Sequence, residues 1–405
     1  MSRVVTTSKK KTIKKNTVAK SKNAKREKVV VVGDLPELSD YETELEEGLL
    51  RVEDENRKLR KTLKEVKRES TLFKSLASVI QEQPPFSSFA PYKPEKSAKG
   101  KGNNIKETAL LVLSDIHGDQ EILAKRTHGL EDYNFDVACI RAQHIVDTTI
   151  SHLKDNMTKY SFDTLYIAGL GDFVNGDIHN AQEHSKWRNA LKNSMGVGEL
   201  IAMMVTDFSK YFKKIVFCSV SGNHGRRQPK KDYRGAHNNW DYLVASHAAT
   251  RLQPLIDEGR LEVKIPDAWT LGLEIEGWNF VLNHGDDVRG WNGIPFYGIE
   301  RKTRRLTALG AVSGIIPHYF LYGHFHTLST SQHTTGEVIM NGSWMSTDEY
   351  ALEALGAHSE PYQWLMGVHP SYGLTWRLPI KLRANDWKKS EKKRSRYAIT
   401  LFGEE

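Results

Sequence analysis

The chain has 405 residues and a mass of 46.1 kDa; 39% of the residues are hydrophobic and 27% are charged. This composition excludes a wholly disordered chain, a collagen-like chain and a disulfide scaffold. The sequence contains no apolar run of roughly eighteen residues and no signal-peptide pattern at its start, so we expect a cytoplasmic protein without membrane association. Cys139 and Cys218 lie in apolar stretches, which fits a reducing compartment.

The positive charge of the chain is concentrated at its amino terminus. The net charge is +8, but residues 1–33 alone hold 11 lysines and arginines against one acidic residue. The remaining sequence is therefore close to neutral. We predict that residues 1–39 form a basic disordered tail. Such a tail either keeps the protein soluble or acts as an electrostatic arm for nucleic acid or an acidic partner.

A seven-residue repeat follows and predicts a coiled-coil helix over residues 40–83. One row of the repeat contains Leu45, Val52, Leu59, Val66, Phe73 and Ile80, and the other contains Leu49, Asn56, Leu63, Ser70 and Ala77. An asparagine in an a row favours two parallel strands, so we expect a homodimer through residues 40–83. The alternative is one amphipathic helix lying on the body. Residues 84–104, rich in Pro, Ser, Gly and Lys, are predicted to be a linker.

Five short apolar segments of the body end in residues that ligate metals. Asp115 and His117 follow ALLVL, Asp172 follows TLYIAG, Asn223 and His224 follow IVFCSV, His284 follows WNFVLN, and His324 and His326 follow HYFLY. Open α/β sheets build their sites at the carboxyl ends of strands, so we expect these side chains to meet in one crevice. Helical stretches at Cys139–Leu153, Trp187–Lys210 and Trp240–Arg251 would supply the crossovers.

These five segments resemble the blocks of the calcineurin-like metallophosphoesterases, which read Asp-x-His, Gly-Asp, Gly-Asn-His, a lone His and Gly-His-x-His. The resemblance covers about residues 108–345 and extends to the nuclease subunit of the recombination-repair exonucleases. It implies an α/β fold for residues 105–382: a double β-sheet sandwich flanked by helices, in the order α-β-β-α. We expect the chain after residue 345 to complete the second sheet. Residues 383–405 are predicted to be a basic C-terminal segment.

The resemblance also implies a role for each residue of the five blocks. Asp115, His117 and His326 would hold a first metal ion, Asn223, His284 and His324 would hold a second, Asp172 would bridge both, and His224 would protonate the leaving oxygen. Carboxylates and imidazoles suit two divalent ions per chain, with Mn expected and Fe or Zn as alternatives. A hydroxide between the two ions would attack phosphorus in line.

Two positions depart from the family pattern. Relatives usually have an acid after Gly-Asn-His, where this chain has Gly225. Either Asp232 or Asp286 takes over the orientation of His224, or acid catalysis is weaker than usual. Asn175 stands where many relatives have Asp, and it either contacts His224 or substrate or forms a turn.

A cationic segment begins two residues after the expected proton donor. Its members are Arg226, Arg227, Lys230, Lys231 and Arg234. A loop there would overhang the metals, so these cations would hold non-scissile phosphates. The alternative is a solvated charged loop without contact to substrate.

The sequence therefore predicts a metal-dependent phosphoric ester hydrolase, and specifically a nuclease that acts on DNA rather than RNA. A phosphomonoesterase acting on a phosphoprotein or nucleotide is the first alternative, because the same ligands serve both chemistries. A non-catalytic dimeric scaffold is the second.

Overall fold

The computed structural model describes residues 47–60, 63, 67, 104–178, 183–288, 295–334 and 336–398. The predicted tail, most of the predicted coiled coil and the predicted linker up to residue 103 lie outside these ranges. The chain divides into two units, Met1–Arg68 and Glu69–Glu405.

The described part of the first unit is a helix, α1, over residues 47–60. Ion pairs along its surface join Arg51 to Glu47 and Arg57 to Asp54. The apolar residues of the two heptad rows that fall within it, such as Val52 and Leu59, are exposed. The helix is where the sequence predicts one, and its pairing with a second copy remains a prediction.

The second unit alternates strands with helices. Its strands are β1 (Ile105–Lys106), β2 (Thr108–Leu113), β3 (Tyr160–Ser161), β4 (Thr164–Gly169), β5 (Lys214–Ser219), β6 (Leu261–Lys264), β7 (Thr270–Ile275), β8 (Trp278–Asn283), β9 (Tyr319–Tyr322), β10 (Ser329–His333), β11 (Gly336–Met340), β12 (Tyr362–His369) and β13 (Gly373–Lys381). Its helices are α2 (Phe135–Ser151), α3 (Ala190–Phe208), α4 (Trp240–Arg251), α5 (Gln253–Asp257), α6 (Phe296–Ser313), α7 (Glu349–Leu355) and α8 (Trp387–Ser390), and a π-helical turn, His152–Asn156, follows α2.

Asparagine caps start the three crossover helices of the first sheet. The side chains of Asn134, Asn189 and Asn239 accept hydrogen bonds from backbone N–H groups in the first turns of α2, α3 and α4. The predicted helical stretches overlap all three helices, and the predicted limits of α4 are the observed ones. None of the helices in the described ranges combines the length and apolar content that a membrane crossing requires.

Two sheets form the centre of this unit. The first has the strand order β13-β12-β2-β4-β5-β6, with β2, β4, β5 and β6 parallel. The second has the order β10-β11-β9-β8-β7, and α6 connects its parallel strands β8 and β9. A separate short pair joins β1 to β3.

The two sheets pack face to face, with helices on both outer surfaces. In β2, Leu110 and Val112 pack between the sheets, whereas Leu111 and Leu113 pack with the residues of α2, α3 and α4. Burial on both faces explains why β2 is apolar at nearly every position instead of alternating. On the other side, Ile299 of α6 packs with the outer face of the second sheet. The predicted α/β double-sheet layering is confirmed.

The final two long strands lie in the first sheet, not the second, so the expected completion of the second sheet is wrong. β12 pairs antiparallel with β2, with Leu365 opposite Leu111, and β13 continues outward from β12. The reason is the burial of β2: a strand that is apolar on both faces needs a partner on each edge, and β4 supplies only one.

Residues 383–398 pack onto the same unit, although their basic composition predicts a segment separate from the domain. Tyr397 is 2% exposed and donates a hydrogen bond to Asp207 of α3 (2.5 Å). The Ser395 hydroxyl donates to the carbonyl oxygen of Cys139 in α2 (2.9 Å). Because the segment is rich in lysine and arginine, its composition does not indicate that Ser395 and Tyr397 anchor it.

Candidate metal centre

The carboxyl ends of five strands deliver the candidate ligands. Asp115 follows β2, Asp172 follows β4 and Asn223 follows β5 in the first sheet. His284 follows β8 and His324 follows β9 in the second sheet. Because these strands run parallel within each sheet, their loops meet at one edge of the sandwich.

The structure brings the eight predicted residues together. Three groups have ligand atoms that all lie within 4.8 Å of one another: Asp115, His117 and His326; His117, Asp172 and His224; and Asp172, His284 and His324. The remaining residue, Asn223, has its Oδ1 3.0 Å from His284 Nε2. Because the groups share His117 and Asp172, the eight residues form one continuous set, which we call the histidine cluster.

Hydrogen bonds outside the cluster fix the orientation of two imidazoles. His284 Nδ1 lies 2.8 Å from the carbonyl oxygen of Leu170, which turns Nε2 towards Asp172 Oδ2 at 2.9 Å. His117 Nδ1 lies 2.8 Å from Asn175 Oδ1. Within the described residues, the buried Nε2 of His117 has no hydrogen-bond partner. A buried nitrogen without a partner is costly unless it binds something else, and an imidazole held from behind is the usual arrangement of a metal ligand.

The backbone of the cluster is strained. Of the eight non-glycine residues with positive φ in the described chain, five belong to the cluster: Asp115, His117, Asp172, His324 and His326, with φ from 43° to 69°. The left-handed region costs free energy for residues other than glycine, and such residues concentrate at functional sites.

Burial and neighbouring charges lower the pKa of some titratable groups of the cluster and raise the pKa of others. Burial lowers the pKa of His117 and of His324 to about 4, so both imidazoles are neutral and ready to ligate. Burial alone would also lower the pKa of His284, but the Asp172 carboxylate overrides it and raises the pKa to about 10. In return, His284 holds the pKa of Asp172 well below its usual range against the effect of burial. His284 is therefore protonated and carries a positive charge beside the Asp172 carboxylate.

The candidate carboxylates for orienting His224 are engaged elsewhere. Asp286 Oδ1 accepts a hydrogen bond from Lys231 Nζ at 2.6 Å, and Asp232 Oδ1 accepts one from the backbone N–H of Arg234 at 2.9 Å. The His224 ring instead lies edge-on to the His117 ring, with centroids 4.8 Å apart. Within the histidine cluster, His224 therefore lies beside both His117 and Asp172.

Two arginines of the predicted cationic set contact the protein itself. Arg226 Nε donates to the carbonyl oxygen of Asn223 at 3.0 Å. The Arg227 guanidinium lies over the Trp240 ring, 5.5 Å from its centroid. Both arginines therefore stiffen the segment that carries Asn223.

The remaining cations of the set separate into one anchor and two exposed residues. Lys231 is tied to Asp286, and its side chain is only 9% exposed. Lys230 and Arg234 are exposed, as is the Tyr233 ring between Lys231 and Arg234 in the sequence. The Lys231–Asp286 pair holds this loop near His284, which is two residues from Asp286.

Sequence reasoning missed two buried carboxylates behind the cluster. Asp119 Oδ1 accepts the backbone N–H of Asn175 at 2.8 Å, and burial raises the pKa of Asp119 to about 6. Asp241 accepts three backbone N–H groups from the loops after β4 and β5. In the sequence, Asp119 stands two residues from His117, which offers a weak signal. Asp241 resembles any acid in the first turn of a helix.

Comparisons with known proteins add the following. No family model and no curated protein matches the sequence. Among solved structures, the chain is similar to vacuolar protein sorting 29 of Cryptosporidium parvum (13% identity, 65% of this chain and 86% of that one, TM-score 0.30) and to an archaeal phosphodiesterase (11%, 67% and 99%, 0.30). It is also similar to a Streptococcus pneumoniae protein described as a predicted phosphoesterase (11%, 67% and 98%, 0.27). These values assign no family to the chain.

Proposed function

We propose that this protein is a calcineurin-like metallophosphoesterase that hydrolyses phosphate diesters, and that its substrate is DNA. The observation that carries the proposal is the continuity of the histidine cluster, in which Asp172 belongs to two ligand groups at once. A carboxylate shared in this way suits a pair of cations better than a single one, because each carboxylate oxygen can serve one ion.

The residues present fit two divalent cations. The donor set is made of carboxylate, amide and imidazole groups, and the buried His117 Nε2 has no hydrogen-bond partner within the described residues. Bound at these groups, two cations would neutralise the charge of a phosphate and acidify a water molecule. His224 belongs to one ligand group with His117 and Asp172, and we assign to it the protonation of the leaving oxygen.

The exposed cations favour a polymeric substrate. Lys230 and Arg234 flank the exposed ring of Tyr233, and the Lys231–Asp286 pair fixes their loop beside the cluster. A polyanion with unpaired bases would use both features: cations for the phosphates and an aromatic face for stacking. A small phosphomonoester would use neither.

Hydrolysis by metal-stripped protein restored with Mn(II) tests the proposal. The substrates are labelled single- and double-stranded DNA, bis(p-nitrophenyl) phosphate and p-nitrophenyl phosphate. We expect cleavage of DNA and of the small diester by the wild type and none by His324→Ala. Turnover of the monoester with intact DNA would overturn the proposal in favour of a phosphomonoesterase.

A matched control variant lies next to the same strand. His318 immediately precedes β9, at the opposite end from His324, and its Nδ1 accepts the backbone N–H of Asn279. His318→Ala removes the same number of atoms without touching the cluster, so it should retain hydrolysis. Loss of activity in both variants would attribute the effect to the strand and not to a ligand.

The role of the loop is tested by salt dependence. We expect K230A/R234A to weaken DNA binding and to reduce the slope of log K against log salt by about one to two, since each phosphate contact releases about one counterion. Turnover of bis(p-nitrophenyl) phosphate should stay unchanged. K388A/K389A, with the same charge loss on α8, should leave the slope unaltered; equal effects of both pairs would mean that only net charge matters.

We further propose that the chain dimerises through residues 40–83, the segment that contains α1. Leu49, Val52 and Leu59 are exposed on α1 at heptad positions, and Asn56 occupies an a position between them. Sedimentation of the full chain should give twice the chain mass, and V52D/L59D should give the monomer. A monomeric wild type would contradict this proposal without affecting the one on hydrolysis.

A further inference from the structure

The start of α4 lies behind two loops of the histidine cluster. Asp241, the second residue of α4, is 1% exposed. Its Oδ2 accepts the backbone N–H groups of Asp172 and Gly222, each at 2.8 Å, and its Oδ1 accepts that of Phe173 at 2.9 Å. One carboxylate thus joins the loop after β4 to the loop after β5.

These loops approach each other as closely as glycine permits. A Cβ atom on Gly171 would lie 2.2 Å from the backbone nitrogen of Gly222. A Cβ atom on Gly222 would lie 2.2 Å from Asp172 Oδ1. Since a side chain at either position would push the loops apart, this close approach requires glycine at both positions.

Asn239 and Trp240 strengthen the same attachment. Asn239 Nδ2 donates to the carbonyl oxygen of Gly222 at 2.8 Å, and the backbone N–H of Trp240 donates to that of Gly225 at 2.7 Å. The loop that carries Asn223 and His224 is therefore held at both of its ends by the start of α4.

The placement of Asp241 is costly, which indicates that it serves more than a helix cap. A buried carboxylate beside a second buried carboxylate is destabilised by desolvation and by repulsion. Asn239 already caps α4 through the backbone N–H of Asp241. A helix that needed only a cap would not require a second side chain whose carboxylate accepts the backbone N–H groups of two loops.

We propose that Asp241 is a positioning residue that fixes Asp172 relative to Asn223 and His224, where the Asp172 carboxylate would serve both cations of the proposed site. This inference rests on the metal site of the proposed function. Asp241 itself points at backbone N–H groups and touches neither substrate nor cation.

The test is Mn(II) binding by Asp241→Asn in the full chain, measured by calorimetric titration and by electron paramagnetic resonance. An asparagine has one acceptor oxygen and an NH₂ group that would face an N–H donor, so at least one of the three hydrogen bonds is lost. We expect the affinity for one of two Mn(II) ions to fall about tenfold to a hundredfold, with loss of the spin-coupled signal of the ion pair.

Glu199→Gln is the matched control. Glu199 lies on α3 and pairs with Arg251 at the far end of α4, at 2.7 Å, so this variant loosens the same helix away from the cluster. It should lower the unfolding temperature and keep both Mn(II) affinities within twofold. If D241N lowers the unfolding temperature to the same extent and keeps both affinities and the coupled signal, Asp241 is structural and the inference is wrong.

Two further outcomes are informative. If D241N does not fold, Asp241→Glu keeps the charge but moves the carboxylate by one methylene, and native coupling in that variant would equally overturn the inference. A wild-type protein that binds fewer than two Mn(II) ions would overturn the proposed metal site itself. A wild type with two coupled ions separates the two questions, because only the variants then decide the role of Asp241.

Discussion

The second unit buries two sets of charged or titratable side chains, which differ in whether every polar group has a partner within the set. One is the histidine cluster. The other, which we call the arginine cluster, consists of Arg141, Glu131, Glu391 and Arg383. Each set links distant parts of the chain.

The arginine cluster is matched internally. Arg141 is fully buried; its Nη2 lies 3.0 Å from Glu131 Oε1 and its Nε lies 2.9 Å from Glu391 Oε1. The other oxygen of Glu131 accepts the backbone N–H of Ser346 at 2.6 Å and lies 3.8 Å from Arg383 Nη1. None of these residues has a positive φ. Cations and anions alternate, so the arginine cluster is complete as it stands.

The histidine cluster is not matched internally. It contains two carboxylates and five imidazoles, and the pKa is lowered for His117 and His324 but raised for His284. Five of its residues have a left-handed backbone conformation. The difference teaches that buried polar groups can serve either the stability of the fold or the binding of a ligand. Where every group has a partner, the cluster stabilises the fold; where strain and an unpartnered nitrogen persist, it is prepared for a ligand.

The largest expected effect comes from the shared carboxylate of the histidine cluster. Asp172→Asn should reduce Mn(II)-dependent hydrolysis of bis(p-nitrophenyl) phosphate at least about a thousandfold, because roughly 4 kcal/mol of charge stabilisation is removed. Steady-state rates of wild type and variant, with circular dichroism to verify folding, decide this. Retention of a tenth of the rate would show that the two ligand groups do not work together.

His224 should affect proton transfer and not metal binding. His224→Asn is expected to slow hydrolysis of DNA about a hundredfold, while both Mn(II) affinities stay unchanged. The loss should be smaller for bis(p-nitrophenyl) phosphate, whose leaving group needs no proton. Equal losses on both substrates would place His224 among the ligands instead.

A substitution in the arginine cluster should have the opposite effect: it should lower the stability of the protein and leave its activity unchanged. Arg141→Met leaves two buried carboxylates without their main partner, so the free energy of unfolding should fall by about 3–5 kcal/mol. The rate per folded molecule should stay near the wild-type value. Urea denaturation and active-site titration measure the two quantities, and a variant of normal stability with lost activity would reverse the comparison.

Acid pH should reveal the contribution of Glu131. Burial alone would raise its pKa, but Arg141 and the hydrogen bond from Ser346 hold it below the ordinary value of 4.5. A depressed carboxyl pKa stabilises the folded state above the unfolded pKa, and this contribution is lost as the pH falls through 4.5 towards the folded pKa.

The measurement compares the wild type with Glu131→Gln by urea denaturation between pH 7 and pH 3. The stability advantage of the wild type should be constant from pH 7 to about pH 5 and should shrink below it. Glu391, whose pKa burial raises, is present in both proteins. An advantage that does not change with pH would mean that the pKa of Glu131 is the same in the folded and unfolded states, contrary to the expectation.

Local patterns were sufficient for much of the fold and for the members of the histidine cluster. An apolar run followed by Asp, Asn or His predicts both the strand and the side chain that its end presents, because strand and ligand are neighbours in sequence. Asn134, Asn189 and Asn239 likewise mark helix starts through contacts within three residues. The tail and the pairing of α1 remain predictions.

The sequence by itself therefore determined which residues end the central strands and what chemistry they carry. Only the tertiary structure decided which groups lie behind them, since Asp241 reaches Asp172 across 69 residues and Arg141 reaches Glu391 across 250. It also placed β12 beside β2 and showed that Lys231 is an anchor. The physical reason is that periodicity and capping act between neighbours, whereas the partner of a buried charge is chosen by the packing of the whole unit.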